Sequence, residues 1–129
     1  MIVTIERRKT FVPEWRKNKK EATPVNVVYR YATTEERDKF VHWSSPTVES
    51  SLGSEAVSKV VRIIERKDMF LTLTEKVNNL TGRDKVTGKE FPVTSAREIL
   101  ENPGFNDLYD EIVGDMIQST AVADLKNSE

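Results

Sequence analysis

The chain has 129 residues, 32% of them charged and nearly balanced to a net charge of −1, with one histidine and no cysteine. A length like this reads as one domain that can bury about two-thirds of its unfolded surface without covalent staples. The composition excludes disulfides and thiolate metal sites, and argues against nucleic-acid binding by overall charge. It also excludes a helical membrane span, because no apolar run nears the ~20 residues a bilayer needs. Met1–Glu6 lacks the apolar core of a signal peptide, so a cytoplasmic protein is the simplest reading.

The charge balance hides a polarity. Residues 7–20 hold Arg7, Arg8, Lys9, Arg16, Lys17, Lys19 and Lys20 against Glu14. Residues 97–129 hold Glu98, Glu101, Asp107, Asp110, Glu111, Asp115, Asp124 and Glu129 against Arg97 and Lys126. Such ends can close on one another within a chain or meet head-to-tail between copies.

In chain order, Ile2–Ile5 alternates apolar and polar residues and predicts a short strand. Phe11–Trp15 contains Pro13, which lacks a donor and points to an edge strand or extended arm. Residues 16–24 read as a flexible basic loop. Val25, Val27, Tyr29 and Tyr31 share one side of the best strand. Thr33 with Glu36 is a capping box, and predicts a helix over 34–43. Residues 44–53, with Pro46 and Gly53, predict a loop. Ser54 caps a helix over 54–66, with Val57, Val60, Val61 and Ile64 on its inner face.

Phe70–Thr74 is strand-like, and 78–90, with Gly82 and Gly88, is a turn or hairpin loop. Ser95 and Glu98 cap a short helix that Pro103 stops. Phe105, Leu108, Tyr109, Ile112, Val113, Met116 and Ile117 then follow the helical spacing of one buried face, predicting a helix over 105–119. The tail from about 121 to 129 is expected to fray. The expected fold is a single α+β domain. It has a small mixed sheet from 2–5, 25–31 and part of 69–93, with three or four helices packed on it. The predicted core is Val27, Tyr29, Tyr31, Phe40, Val57, Val60, Val61, Ile64, Leu108, Ile112, Val113 and Met116.

Chemistry is sparse. His42 stands alone, without metal-ligand spacing or a G-x-S-x-G elbow. Gly82–Gly88-Lys89-Glu90 imitates a phosphate loop, but its glycines are one residue too far apart and Glu90 stands where Ser or Thr would bind magnesium. Asp107, Asp110, Glu111 and Asp115 lie opposite the apolar stripe, first as a solvated face and second as a partner surface. The expectation is no catalytic set, no metal and no cofactor. Arg7, Arg8, Phe11 and Trp15 interleave cations with aromatics. That pattern suits a structural loop, a protein-docking arm, or third a nucleic-acid contact.

Thr10-Phe11-Val12-Pro13-Glu14-Trp15, Thr33-Thr34-Glu35-Glu36-Arg37, Thr94-Ser95-Ala96-Arg97-Glu98-Ile99-Leu100, the run from Asn102 to Ile112 and Lys126-Asn127-Ser128 carry a likeness. The chain resembles small tail-morphogenesis proteins of tailed bacteriophages and prophages, some of them tail-assembly chaperones. The likeness covers both ends and leaves 44–90 unmatched. It implies a non-enzymatic role in the bacterial cytoplasm or the virion, with tail or tape-measure proteins as partners and self-association as an option. Tail chaperones are often mostly helical, so the strands here favour a distinct branch, or a neck or tail-completion protein. The alternative is a small nucleic-acid-binding module using residues 7–20. The partner-binding candidates are Phe11, Trp15, Arg7, Arg8, Asp107, Asp110 and Glu111.

Overall fold

The computed structural model describes residues 1–43 and 52–127, with side chains described over 1–43 and 59–120. The loop expected over 44–53 lies almost wholly outside the described residues, as does the side chain of Val57. Strands β1 (Arg8–Phe11), β2 (Asn26–Arg30) and β3 (Thr74–Asn78) form one antiparallel sheet in that order. Strands β4 (Leu80–Arg83) and β5 (Glu90–Val93) form a second, two-stranded antiparallel sheet. Helices α1 (Thr34–Lys39), α2 (Leu52–Leu73), α3 (Ala96–Glu101) and α4 (Asn106–Asn127) complete an α+β fold. Both sheets are antiparallel, so the expectation of one mixed sheet is corrected. Asn79, in the left-handed region at φ 65°, turns the chain out of the first sheet and into the second.

Ile2–Ile5 is not a strand but exposed, irregular backbone. The reason lies in its would-be partner. β2 ends at Arg30 because Thr33 caps α1, so the ladder reaches no further than the Tyr31 N–H donating to the Arg7 carbonyl at 3.1 Å. The β1 strand instead occupies Arg8–Phe11 and pairs Lys9 with Tyr29 and Phe11 with Val27. Pro13 follows it as an edge strand would require.

Residues 15–20 form a 3-10 helical turn in which Arg16 and Lys17 carry positive φ. Asn18 is buried at its centre. Its amide donates to the carbonyls of Pro13 and Val25, each at 2.9 Å, and accepts from the Val25 N–H at 2.7 Å. Three bonds from one side chain hold together the chain entering and leaving this segment.

The capping box at α1 is present, with Thr33 Oγ accepting from the Glu36 N–H and Glu36 accepting from the Thr33 N–H. Helix α1 is shorter than predicted and ends at Lys39. Ser95 caps α3 by accepting from the Glu98 N–H at 3.3 Å. Helix α2 begins at Leu52, ahead of the expected Ser54 cap, and continues through the strand-like stretch to Leu73.

That extension moves its buried face. Met69, Phe70 and Leu73 are in the core, whereas Val60 and Ile64 are 55% and 53% exposed and Val61 is half-buried. The predicted core positions Val60 and Ile64 are therefore corrected. The helix packs through its last turns, and at its middle Val60, Ile63 and Ile64 stand exposed.

The core joins β2, the end of α2 and α4. Val27, Tyr29, Leu108, Ile112, Val113 and Met116 are buried as predicted, while Tyr31 and Phe40 pack half-buried against them. Phe70 meets Tyr109 edge-to-face at 5.0 Å.

Two predictions follow from burial and pairing. Ile112→Ala should cost about 2–5 kcal/mol in urea unfolding, whereas Ile64→Ala should stay within about 0.5 kcal/mol. Glu36 takes two 2.7 Å bonds from Arg30, and that pairing first, with the Thr33 N–H, lowers its carboxyl from 4.5 to about 2. A carboxyl depressed in the fold stabilises it above the unfolded pKa, and this is lost as pH falls from 4.5 toward 2. Glu36→Gln should lower stability at neutral pH by about 1–2 kcal/mol and flatten the acid limb in that window.

Candidate protein-contact surface

The basic and acidic ends of the chain meet along one face. β1 carries Lys9 beside Tyr29 of β2, and both side chains point at α4. The Tyr29 hydroxyl donates to Asp115 Oδ2 at 2.6 Å, and Ser119 Oγ lies 2.9 Å from the same hydroxyl. Because the tyrosine proton goes to the carboxylate, the serine hydroxyl donates to the tyrosine oxygen. Lys9 Nζ sits 3.1 Å from the Asp115 carboxylate and 3.2 Å from Ser119 Oγ. Burial, and after it the bond to Asp115, pushes the Tyr29 hydroxyl far above the usual tyrosine range, so it remains a donor throughout neutral pH. The arrangement satisfies a carboxylate that is only 16% exposed.

The same face engages the next segment. The Glu14 backbone N–H donates to Glu111 Oε1 at 2.5 Å, and Trp15 packs edge-to-face on Phe105 at 5.9 Å. Arg16 lies over the Trp15 ring at 4.7 Å. Of the residues singled out from sequence, Trp15, Glu111 and, through its half-buried contact with the core, Phe11 are thus drawn into the fold. Arg8 pairs with Glu75 through Nε, and Arg7, Asp107 and Asp110 are exposed. Asp115 is not on a solvated face, as the helical spacing suggests, but against β1 and β2. Lys9, Tyr29 and Ser119 were not singled out as site residues. The opposite charge of the two ends is the signal that pointed to their meeting.

Elsewhere the chemistry stays sparse. His42 is exposed, and its backbone N–H donates to Glu65 at 2.7 Å. The segment resembling a phosphate loop is the β4–β5 hairpin, where the Asp84 carboxylate accepts the N–H groups of Val86 and Thr87 at 2.8 and 3.0 Å. Those two bonds lower the Asp84 carboxyl. A shallow cleft of about 320 Å³ between α2, α3 and α4 is lined by Lys67, Ile99, Leu100, Asn106, Tyr109 and Asp110. Burial first, then Asp110, raises the Tyr109 hydroxyl to about 12, so it stays protonated at neutral pH. Among the described residues no cluster of three or more His, Cys, Asp or Glu could hold a metal. No helix among them is long and apolar enough to cross a membrane.

Among the described residues, exposed apolar side chains stand singly at Val41 and Val86 and in groups at two places. The middle of α2 exposes Val60, Ile63 and Ile64, and the segment before β1 exposes Met1, Ile2, Val3 and Ile5. No protein-family model, no curated protein and no solved structure matches the chain.

The Lys9–Tyr29–Asp115–Ser119 group should act as a unit. Tyr29→Phe and Asp115→Asn should each destabilise the fold in urea, and their double variant should fall short of additivity by about 1 kcal/mol.

Proposed function

We propose that the protein is a non-enzymatic, tail-associated assembly protein of a tailed bacteriophage or prophage, working in the bacterial cytoplasm through protein–protein contact. One observation supports the contact part above the rest. Apolar side chains on α2 and before β1 are uncovered among the described residues, where a lone protein gains by hiding them. The phage setting rests on the likeness at both ends of the sequence. The nucleic-acid alternative draws less support. Lys9 is tied to Asp115, Arg8 to Glu75 and Lys19 to Glu14, and Trp15 packs on Phe105 rather than standing ready to stack on a base.

Co-expression with the tail and tape-measure proteins of the same genome tests the reading. The tagged chain should co-elute with one of them, and Ile63→Asp with Ile64→Asp should weaken capture while leaving thermal unfolding unchanged. A monomer that binds neither would overturn it.

A further inference from the structure

We propose that β1, together with the segment Met1–Glu6 leading into it, is an edge that takes an extended acidic segment of a partner protein as an added strand. The inference rests on the reading of this chain as a protein-contact module, and names the chemistry of the contact.

Three observations carry it. β1 is the outer strand of the order β1-β2-β3. The Tyr31 N–H to Arg7 carbonyl bond puts Arg7, and by alternation Lys9 and Phe11, on the hydrogen-bonded rungs with β2. Arg8 and Thr10 therefore turn their N–H and C=O groups away from β2, to the open side. The segment before them, Met-Ile-Val-Thr-Ile-Glu, is rich in strand-forming residues yet outside any sheet, with Ile2 98% exposed. Laid in line with β1, it lengthens the open edge through Glu6, Thr4 and Ile2.

Charge decides the occupant. Arg7 is exposed, and the Arg8 side chain is still 61% exposed beside Glu75. A second copy is a poor fit to β1 itself. Antiparallel pairing centred on Arg7 or Arg8 opposes like cations. Centring it on Glu6 opposes two carboxylates and sets Ile5 and Val3 across from Arg7 and Lys9. A strand with acids across from Arg7 and Arg8, and β-branched residues across from Val3 and Ile5, satisfies both halves of the edge. Backbone pairing supplies affinity and the alternating side chains supply selection.

The probe is a synthetic peptide with Asp and Glu in its first half and alternating Val and Thr in its second, with a Lys-for-acid peptide as control. The acidic peptide should bind, raise amide-exchange protection at Thr4, Glu6, Arg8 and Thr10, and weaken with salt. Arg7→Glu with Arg8→Glu should weaken it at least about tenfold. Thr4→Pro removes a donor from a segment outside the sheet, so it should abolish binding without moving the melting temperature, while Ile64→Ala leaves binding unchanged. No binding, equal binding of the Lys peptide, protection confined to α2, or a dimer that depends on residues 1–6 would each overturn the proposal. A tail protein still captured after deletion of residues 1–6 would overturn it too, and leave the proposed function standing.

Discussion

The structure depends on the buried seam where β2 meets α4. Its apolar part is unremarkable physics, with Val27 and Tyr29 on one side and Leu108, Ile112 and Met116 on the other, all in one core. Its polar end sets the register. Lys9 and Tyr29 are cross-strand neighbours, and both reach the Asp115 carboxylate. A slip of one residue in β1 would carry Lys9 to the opposite face of the sheet and leave Asp115 largely buried without its cation. Breaking a buried pair is far more costly than never building one. The seam therefore contributes to specificity of pairing at least as much as to stability.

This seam changes the meaning of the basic segment at the start of the chain. Read alone, Arg7 to Lys20 is a cationic stretch with two aromatics, suited to any of several partners. In the fold, Lys9 and the Glu14 N–H hold α4, Trp15 packs on Phe105, and Asn18 ties the turn to Val25. Two non-glycine residues in left-handed conformation are held there by the Asn18 bonds. A segment so tied is mostly scaffold, and what it leaves for recognition is the outer edge at Arg7 and Arg8.

Local patterns were the most legible part of the sequence. The α4 stripe, the alternation along β2 and the caps at Thr33 and Ser95 all rest on contacts within a few residues, and each is present. Val60 and Ile64 mark where such reading stops. Periodicity shows which side chains share a helix face, but not whether another element covers it. The extent of α2 was hidden for the same reason, because the apolar run from Met69 to Leu73 fits a buried strand or a buried helix end equally well. Ile2–Ile5 has the right alternation for a strand, and what it lacks is a neighbour, since β2 stops at the cap of α1. Tyr29 was legible as core, but not as the donor to Asp115. That pairing joins residues far apart in sequence, and neither neighbourhood encodes it.

The edges of the main sheet are unequal, and the inequality follows from how the chain continues. Beyond β3, the Val77 N–H donates to the Thr94 carbonyl at 3.3 Å, so the end of β5 already touches that side. The side beyond β1 carries Arg7 and Arg8, and charged residues on an outer strand deter pairing between identical copies. The same cations that make self-pairing unfavourable favour an acidic strand, so protection against aggregation and selection of a partner are one electrostatic property. The exposed apolar residues before β1 fit this logic. Without the adjacent cations they would be a general adhesive surface, and with them the edge discriminates by charge before apolar contact is made.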